Sequence, residues 1–381
     1  MAMGCALVVA LGAAPASAAE SALTWASATA SPVPGDDAAL EPLERAALAR
    51  CGPGDTGLHE TARAIVARKM RGLPMPELDA IARAQRAAGE PHPWPRAWAA
   101  SAPVLASEAT LSRLDTWLAE YDARLRRCGV ASGVGRDGAR VLAVVAVEAL
   151  ADLSPLPTRA RTGQWLTVEA RLRVQLRGGT VIVLGPSGAP HALFTSFDGT
   201  TLRAHFAPDR PGEFAVQVIA DTARSGPRPV LEASVFADVD PAGRGGERAA
   251  PGEDATGNDD DSLARMLVAA RAWEGLQPLA RDRDLDSVAH EHAARMAAAR
   301  ELAHDVGDGD PAARLRDAGL GGTQVGENVA HASSVALAHR ALWASPSHRA
   351  NMLRRDFDRV GIAVVNGDHG DAWVVETFTG R

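Results

Sequence analysis

Gly326-Glu327-Asn328-Val329-Ala330 and, shortly after Trp343, Ser345-Pro346-Ser347-His348-Arg349-Ala350-Asn351-Met352-Leu353 are the stretches that decide how the chain reads. The second opens like a helix, because Pro346 suits the first helical position and Ser345 the cap before it. It then delivers an imidazole, His348, two residues after Pro346. Upstream, Leu285, Val288, Ala289, His292, Met296 and Ala299 lie on one helical stripe, and Leu302-Ala303-His304-Asp305 follows. Seven of the eleven histidines fall in this last part: His290, His292, His304, His331, His339, His348 and His369. The chemistry therefore concentrates at the C-terminal end.

Two enzyme classes fail on residue grounds. His290-Glu291-His292 invites a zincin reading, but the second ligand belongs four residues after the first, where Ala294 stands. A serine hydrolase would need a Gly-x-Ser-x-Gly elbow, which the chain lacks. His292, on an apolar face, reads as a hydrogen-bonded core residue, His290 as solvated, and Arg349 and Asn351 as ties from their helix to the core.

Taken in order, these elements resemble the CAP superfamily of cysteine-rich secretory proteins, antigen 5 and pathogenesis-related proteins. The further matching pieces are Trp273-Glu274-Gly275-Leu276-Gln277-Pro278-Leu279, Val360-Gly361-Ile362-Ala363-Val364 and Trp373-Val374-Val375-Glu376-Thr377-Phe378. The resemblance covers residues 261–381 and implies an α-β-α sandwich with a cleft holding two His and two acids. Those positions map to His304, Glu327 and His348. The fourth acid is unmatched, since Ala344, Ser345 and Pro346 follow Trp343, and Glu376 is expected to replace it. Asn328 and Glu376 are expected to contact ligand. His304, Glu327 and His348 allow zinc or another divalent metal, a His–Glu general base, or a buried polar network that holds loops. The family implies binding of a lipid or cell-envelope component; the alternatives are a hydrolase of peptide or envelope substrates and a structural or adhesive surface protein.

Outward from this domain, 381 residues suggest two to three domains. Residues 241–261 read as a solvated acidic linker, with Ser262 capping the next helix. From 139 to 240 the period changes to two, with strands expected at 141–147, 165–176, 180–184, 193–197, 200–206, 213–220 and 230–238. Asp198-Gly199 is a hairpin signal, and the pattern suggests an immunoglobulin-like β-sandwich. From 40 to 130 the period is helical, with Leu111, Leu114, Leu118, Tyr121 and Leu125 on one stripe and Leu58, Ala62, Ile65 and Met70 on another. A small all-α domain is expected there.

Residues 1–18 read as a signal peptide, with Ala16-Ser17-Ala18 as the cleavage site. Its removal would discard Cys5 and leave Cys51 and Cys128, an even pair that suggests a disulfide in an exported protein. Forty basic against forty-seven acidic residues, a net charge of −7, argue against nucleic acid as partner. No segment has the length and apolarity of a membrane anchor. Only Lys69 among the basic residues is lysine, which removes most lysine chemistry.

Overall fold

The computed structural model describes residues 29–105, 107–119, 121–222, 226–241, 249–367 and 370–380. The expected signal peptide with Cys5, and His369, lie outside the described residues.

After the short strand β1 (Thr29–Ala30) come α1 (Pro42–Cys51), α2 (Thr56–Lys69), α3 (Leu78–Ala87), β2 (Arg96–Ala102), α4 (Ser107–Leu118), β3 (Arg126–Val134) and β4 (Arg140–Glu148). The expected all-α domain is therefore corrected to α+β. Its sheet has the order β2-β4-β3 and is antiparallel throughout. The central strand β4 is buried on both faces. Leu142, Val144 and Ala146 meet α1 and α4, whereas Val141, Ala143, Val145 and Val147 meet α2. That double burial explains its unbroken apolar run. Asp55 caps α2, accepting from Gly57 N at 2.8 Å and Leu58 N at 3.2 Å. A Cβ at Gly129 would stand 2.0 Å from the Leu58 carbonyl carbon, so glycine lets α2 lie directly on β3. Cys51 and Cys128 are joined by a disulfide that closes 77 residues. Of the two helical stripes, Leu58, Ala62, Ile65, Leu111, Leu114 and Leu118 are buried, Tyr121 and Leu125 lie beyond α4 and are half-buried, and Met70 is 36% exposed.

The second unit comprises β5 (Ala151–Leu153), β6 (Leu156–Pro157), β7 (Arg159–Ala160), β8 (Leu166–Leu172), β9 (Leu176–Leu184), β10 (His191–Ala192), β11 (Thr195–Phe197), β12 (Thr201–Phe206), β13 (Gly212–Thr222) and β14 (Gly226–Ala237). Two sheets, ordered β10-β9-β13-β14-β7 and β11-β12-β8-β5, share one core that includes Val168, Leu202, Val183, Val216 and Val235. The hairpin at Asp198-Gly199 is present: Asp198 Oδ1 accepts from Thr200 N and Thr201 N, and Gly199 takes φ 97°. Strand β4, expected in this unit, belongs to the first sheet instead. A strand's period is local, but the sheet it joins is decided by distant partners.

The third unit begins with residues 249–259, which are not the free linker expected. Ala250 is buried in the core of the following domain, Pro251 O accepts from His339 Nε2 at 3.0 Å, and Glu253 pairs with Arg340. Then come α5 (Asp260–Trp273), β15 (Ala280–Arg281), α6 (Arg283–Ala299), α7 (Pro311–Asp317), β16 (Gln324–Ala332), α8 (Val335–Ala344), α9 (Pro346–Leu353), β17 (Arg359–Asn366) and β18 (Ala372–Gly380). The cap of α5 is Asp259 and not Ser262; its carboxylate accepts from Ser262 N at 2.8 Å. The sheet has the order β15-β17-β18-β16. One face carries Ile362, Val364, Val374 and Phe378 against α5, α8 and α9. The other carries Val329, Ala363 and Val375 against α6. The alternation of every strand thus builds an α-β-α layering, with β16 at an edge. Gly361 repeats the device of Gly129, because a Cβ there would lie 2.3 Å from the Leu285 carbonyl carbon of α6.

Candidate functional site

The site grows from the edge strand β16. Successive side chains on a strand point to opposite faces, so Glu327 faces the α6 side and Asn328 the α9 side. His304 arrives from the loop after α6, and His348 is the third residue of α9. The two imidazoles thereby approach one edge of the sheet from opposite layers.

Glu327 is buried, and each of its oxygens is engaged. His304 Nδ1 donates to Oε1 at 2.8 Å, and Arg314 of α7 donates to Oε2. Burial pushes the Glu327 carboxyl up, but the His304 hydrogen bond and the charges of His304, Arg314 and His292 outweigh it. The net effect holds it below the usual carboxylate range. Arg314 also donates to the carbonyls of His304, at 2.8 Å, and Gly309. His292 is the expected core histidine: it is fully buried, with Nδ1 2.8 Å from Asp308 and Nε2 3.1 Å from Ala303 O. His290 is exposed.

With Nδ1 committed to the carboxylate, His304 has Nε2 left for other partners, and its side chain keeps 23% of its surface open. His348 differs. Burial, reinforced by the nearby His304 charge, pushes its imidazole down to about 3, so it is neutral at ordinary pH. Its Nδ1 is buried without a partner. A bare nitrogen there costs less than an unsatisfied N–H, so the proton belongs on Nε2. Nε2 is thus the ring nitrogen left over on both imidazoles.

Asn328 and Glu376, expected to contact ligand, have no exposed surface. Asn328 Nδ2 donates to His348 O at 3.1 Å and to Glu376 Oε2 at 2.9 Å. Burial pushes the Glu376 carboxyl up to about 7, against the Asn328 hydrogen bond, and its Oε1 has no partner. Asn351 ties α9 to β16, donating to Glu327 O at 3.2 Å and Asn328 Oδ1 at 3.0 Å. Arg349 stacks on Trp343 at 3.7 Å and meets Glu274 at 2.7 Å. Both act as ties, as expected.

Sequence reasoning missed Arg314 and Asp308. In a chain whose basic residues are nearly all arginine, one more in Pro311-Ala312-Ala313-Arg314 carries no signal. Ser345 was expected to cap α9, but its hydroxyl makes no cap bond and turns toward Gln217 at 3.2 Å. As for metal ligation, the Glu327 oxygens are taken, one by a cation. Among the described residues no group of three or more His, Cys, Asp or Glu is placed to hold a metal ion.

Residues 265–378 match the model of the Cysteine-rich secretory protein family, CAP. A search of the curated proteins finds no match. Among solved structures, an outer surface protein from Borrelia burgdorferi is 22% identical over 32% of this chain and 91% of its own, with a TM-score of 0.30. An extracellular protein containing an SCP domain from Bacillus anthracis is 13% identical over 61% and 86%, also at 0.30. A cysteine-rich secretory protein from Staphylococcus aureus is 14% identical over 65% and 83%, at 0.26.

Proposed function

Since residues 265–378 match the model of the Cysteine-rich secretory protein family, we propose that the chain is an exported binding protein whose cleft takes a neutral polar group. A hydroxyl or amide of a lipid or cell-envelope component would accept from His348 Nε2–H and, with the His304 ring neutral, donate to His304 Nε2. The observation that carries this reading is the division of Glu327 between His304 and Arg314. A carboxylate already balanced by a buried guanidinium orients His304 more than it strengthens it as a base. The same division speaks against Glu327 as a ligand to zinc or another divalent metal, and we assign no metal to the cleft.

Export is supported by the disulfide, which belongs to an oxidising compartment. Among the described residues no helix is long and apolar enough to cross a membrane. The second unit, two antiparallel-rich sheets around one core, supports the immunoglobulin-like reading and a spacer or adhesive role.

The test follows the imidazole ¹⁵N resonances of His304 and His348 in the full chain during titration with a soluble cell-wall digest and with phosphatidylcholine vesicles. Saturable shifts of both imidazoles, with the His348 shift lost in His304→Ala, support the reading; no shift with either probe overturns it. One observation favours a hydrolase as second reading, the His304–Glu327 contact of 2.8 Å, which is general-base geometry. Breakdown of the digest, lost in both His304→Ala and Glu327→Gln, would decide for it.

A further inference from the structure

Helix α9 begins with Pro346, which has no N–H, so Ser347 N–H is the first donor at its N-terminus. The domain's own sequence leaves that donor unserved, since Ser345 makes no cap bond. The acceptor comes from another unit. Gln217 of β13, fully buried, places Oε1 3.0 Å from Ser347 N, while its Nε2 donates to Ser345 Oγ at 3.2 Å.

Gln217 is itself fixed from behind. Its Nε2 also donates to Glu232 Oε1 of β14 at 2.6 Å, and Arg86 of α3 donates to Glu232 Oε2 at 2.9 Å. Glu232 N further donates to Pro91 O at 2.7 Å. A continuous buried or half-buried polar chain therefore runs from α3 of the first unit, through the second, to the residue before His348. A second strap lies alongside, where Arg349 reaches Gly188 O at 3.5 Å.

We infer that Gln217 is a positioning residue for the cleft: it caps α9 across the domain boundary and couples the placement of His348 to the docking of the first two units. The functional consequence rests on the cleft reading above, but the geometry does not. The outward-facing position of Gln217 follows from its strand, because Val216 and Val218 on either side point into the core of the second unit.

Amide exchange and imidazole ¹⁵N shifts in the full chain test this. In Gln217→Met, of similar volume, the Ser347 amide exchanges about tenfold faster and the His348 resonances move, while amides of α6 keep their rates. Ser345→Ala retains the acceptor on Ser347 and exchanges within about twofold of wild type. Gln217→Glu at pH 5.5, with a proton shared with Glu232, restores the slow rate. Arg86→Ala gives a smaller acceleration of the same amide. A wild-type Ser347 rate in Gln217→Met, or equal acceleration of all amides, overturns the assignment. Ligand titration that fails while Ser347 responds removes the binding reading and leaves the positioning role intact.

Discussion

Arg314 and Glu327 form an ion pair closed to solvent, their side chains retaining 8% and 2% of their surface. Breaking such a pair from one side strands a charge, which costs far more than the pair contributes. Arg314→Met should therefore destabilise the third unit by about 3–5 kcal/mol in chemical denaturation. The Glu327 carboxyl should titrate higher, because Arg314 is among the charges holding it down. Arg314→Met combined with Glu327→Gln should recover part of the loss. An unchanged ¹³C titration of Glu327 in Arg314→Met would make the arginine a bystander.

The pH dependence of stability has a sign on each side. Glu376 titrates higher in the fold than in the unfolded chain, 7 against 4.5, so the native state holds the extra proton between these values. Its contribution is present below about 4.5 and is lost as pH rises through about 7, roughly 3 kcal/mol in all. Asp55, raised to about 7 by burial and the Glu90 charge, acts in the same sense. His348, lowered from 6.5 to about 3, does the reverse: stability falls as pH drops below 6.5, because only the unfolded chain takes up the proton. Glu376→Gln mimics the protonated acid, so its stability relative to wild type should increase from pH 4 to pH 8. A difference independent of pH would remove Glu376 as the source.

Much of this was legible in residues because the decisive features were local. The last domain announced itself through ordered motifs, and His304, Glu327 and His348 do converge on one edge of a sheet. The alternation of residues 200–206 and the Asp198-Gly199 turn needed no distant partner to be read. By contrast, β2 (Arg-Ala-Trp-Ala-Ala-Ser-Ala) and β3 (Arg-Arg-Cys-Gly-Val-Ala-Ser-Gly-Val) are poor in branched residues and rich in Ala, Gly and Ser. Their strand state comes from pairing with β4, so a helical reading of residues 40–130 was favoured by propensity and overruled by tertiary context. Gln217 looked like any solvent-facing polar residue between two valines. Only the docked partner reveals otherwise.

Close packing of helix on strand gives a third expectation. Gly361→Ala would press a methyl group into the Leu285 backbone, so α6 must move off the sheet. Overpacking of this kind costs about 3 kcal/mol. Because α6 carries His292 beside Glu327, at 3.8 Å, the His304 and His292 resonances should broaden or shift with it. Wild-type thermal stability in Gly361→Ala would contradict the close approach.

The disulfide gives a fourth. Replacing Cys51 and Cys128 with Ser should cost about 4 kcal/mol through loop entropy, with two hydroxyls left in a core where both sulfurs are fully buried. Denaturation should show the loss in the first unit, and reductant should reproduce it in wild type. Equal midpoints with and without reductant would show that the bond adds nothing.

Strand β16 is an edge of its sheet, the kind of border along which proteins add foreign strands and aggregate. Asn351 takes the outward carbonyl of Glu327, and Arg314 and His304 crowd the same stretch. These side chains thus occupy part of that border. A variant that empties the site, such as Asn351→Ala with Arg314→Met, should lay that edge open and aggregate more readily, as light scattering would show. Selection for solubility alone would then preserve these side chains even where nothing binds.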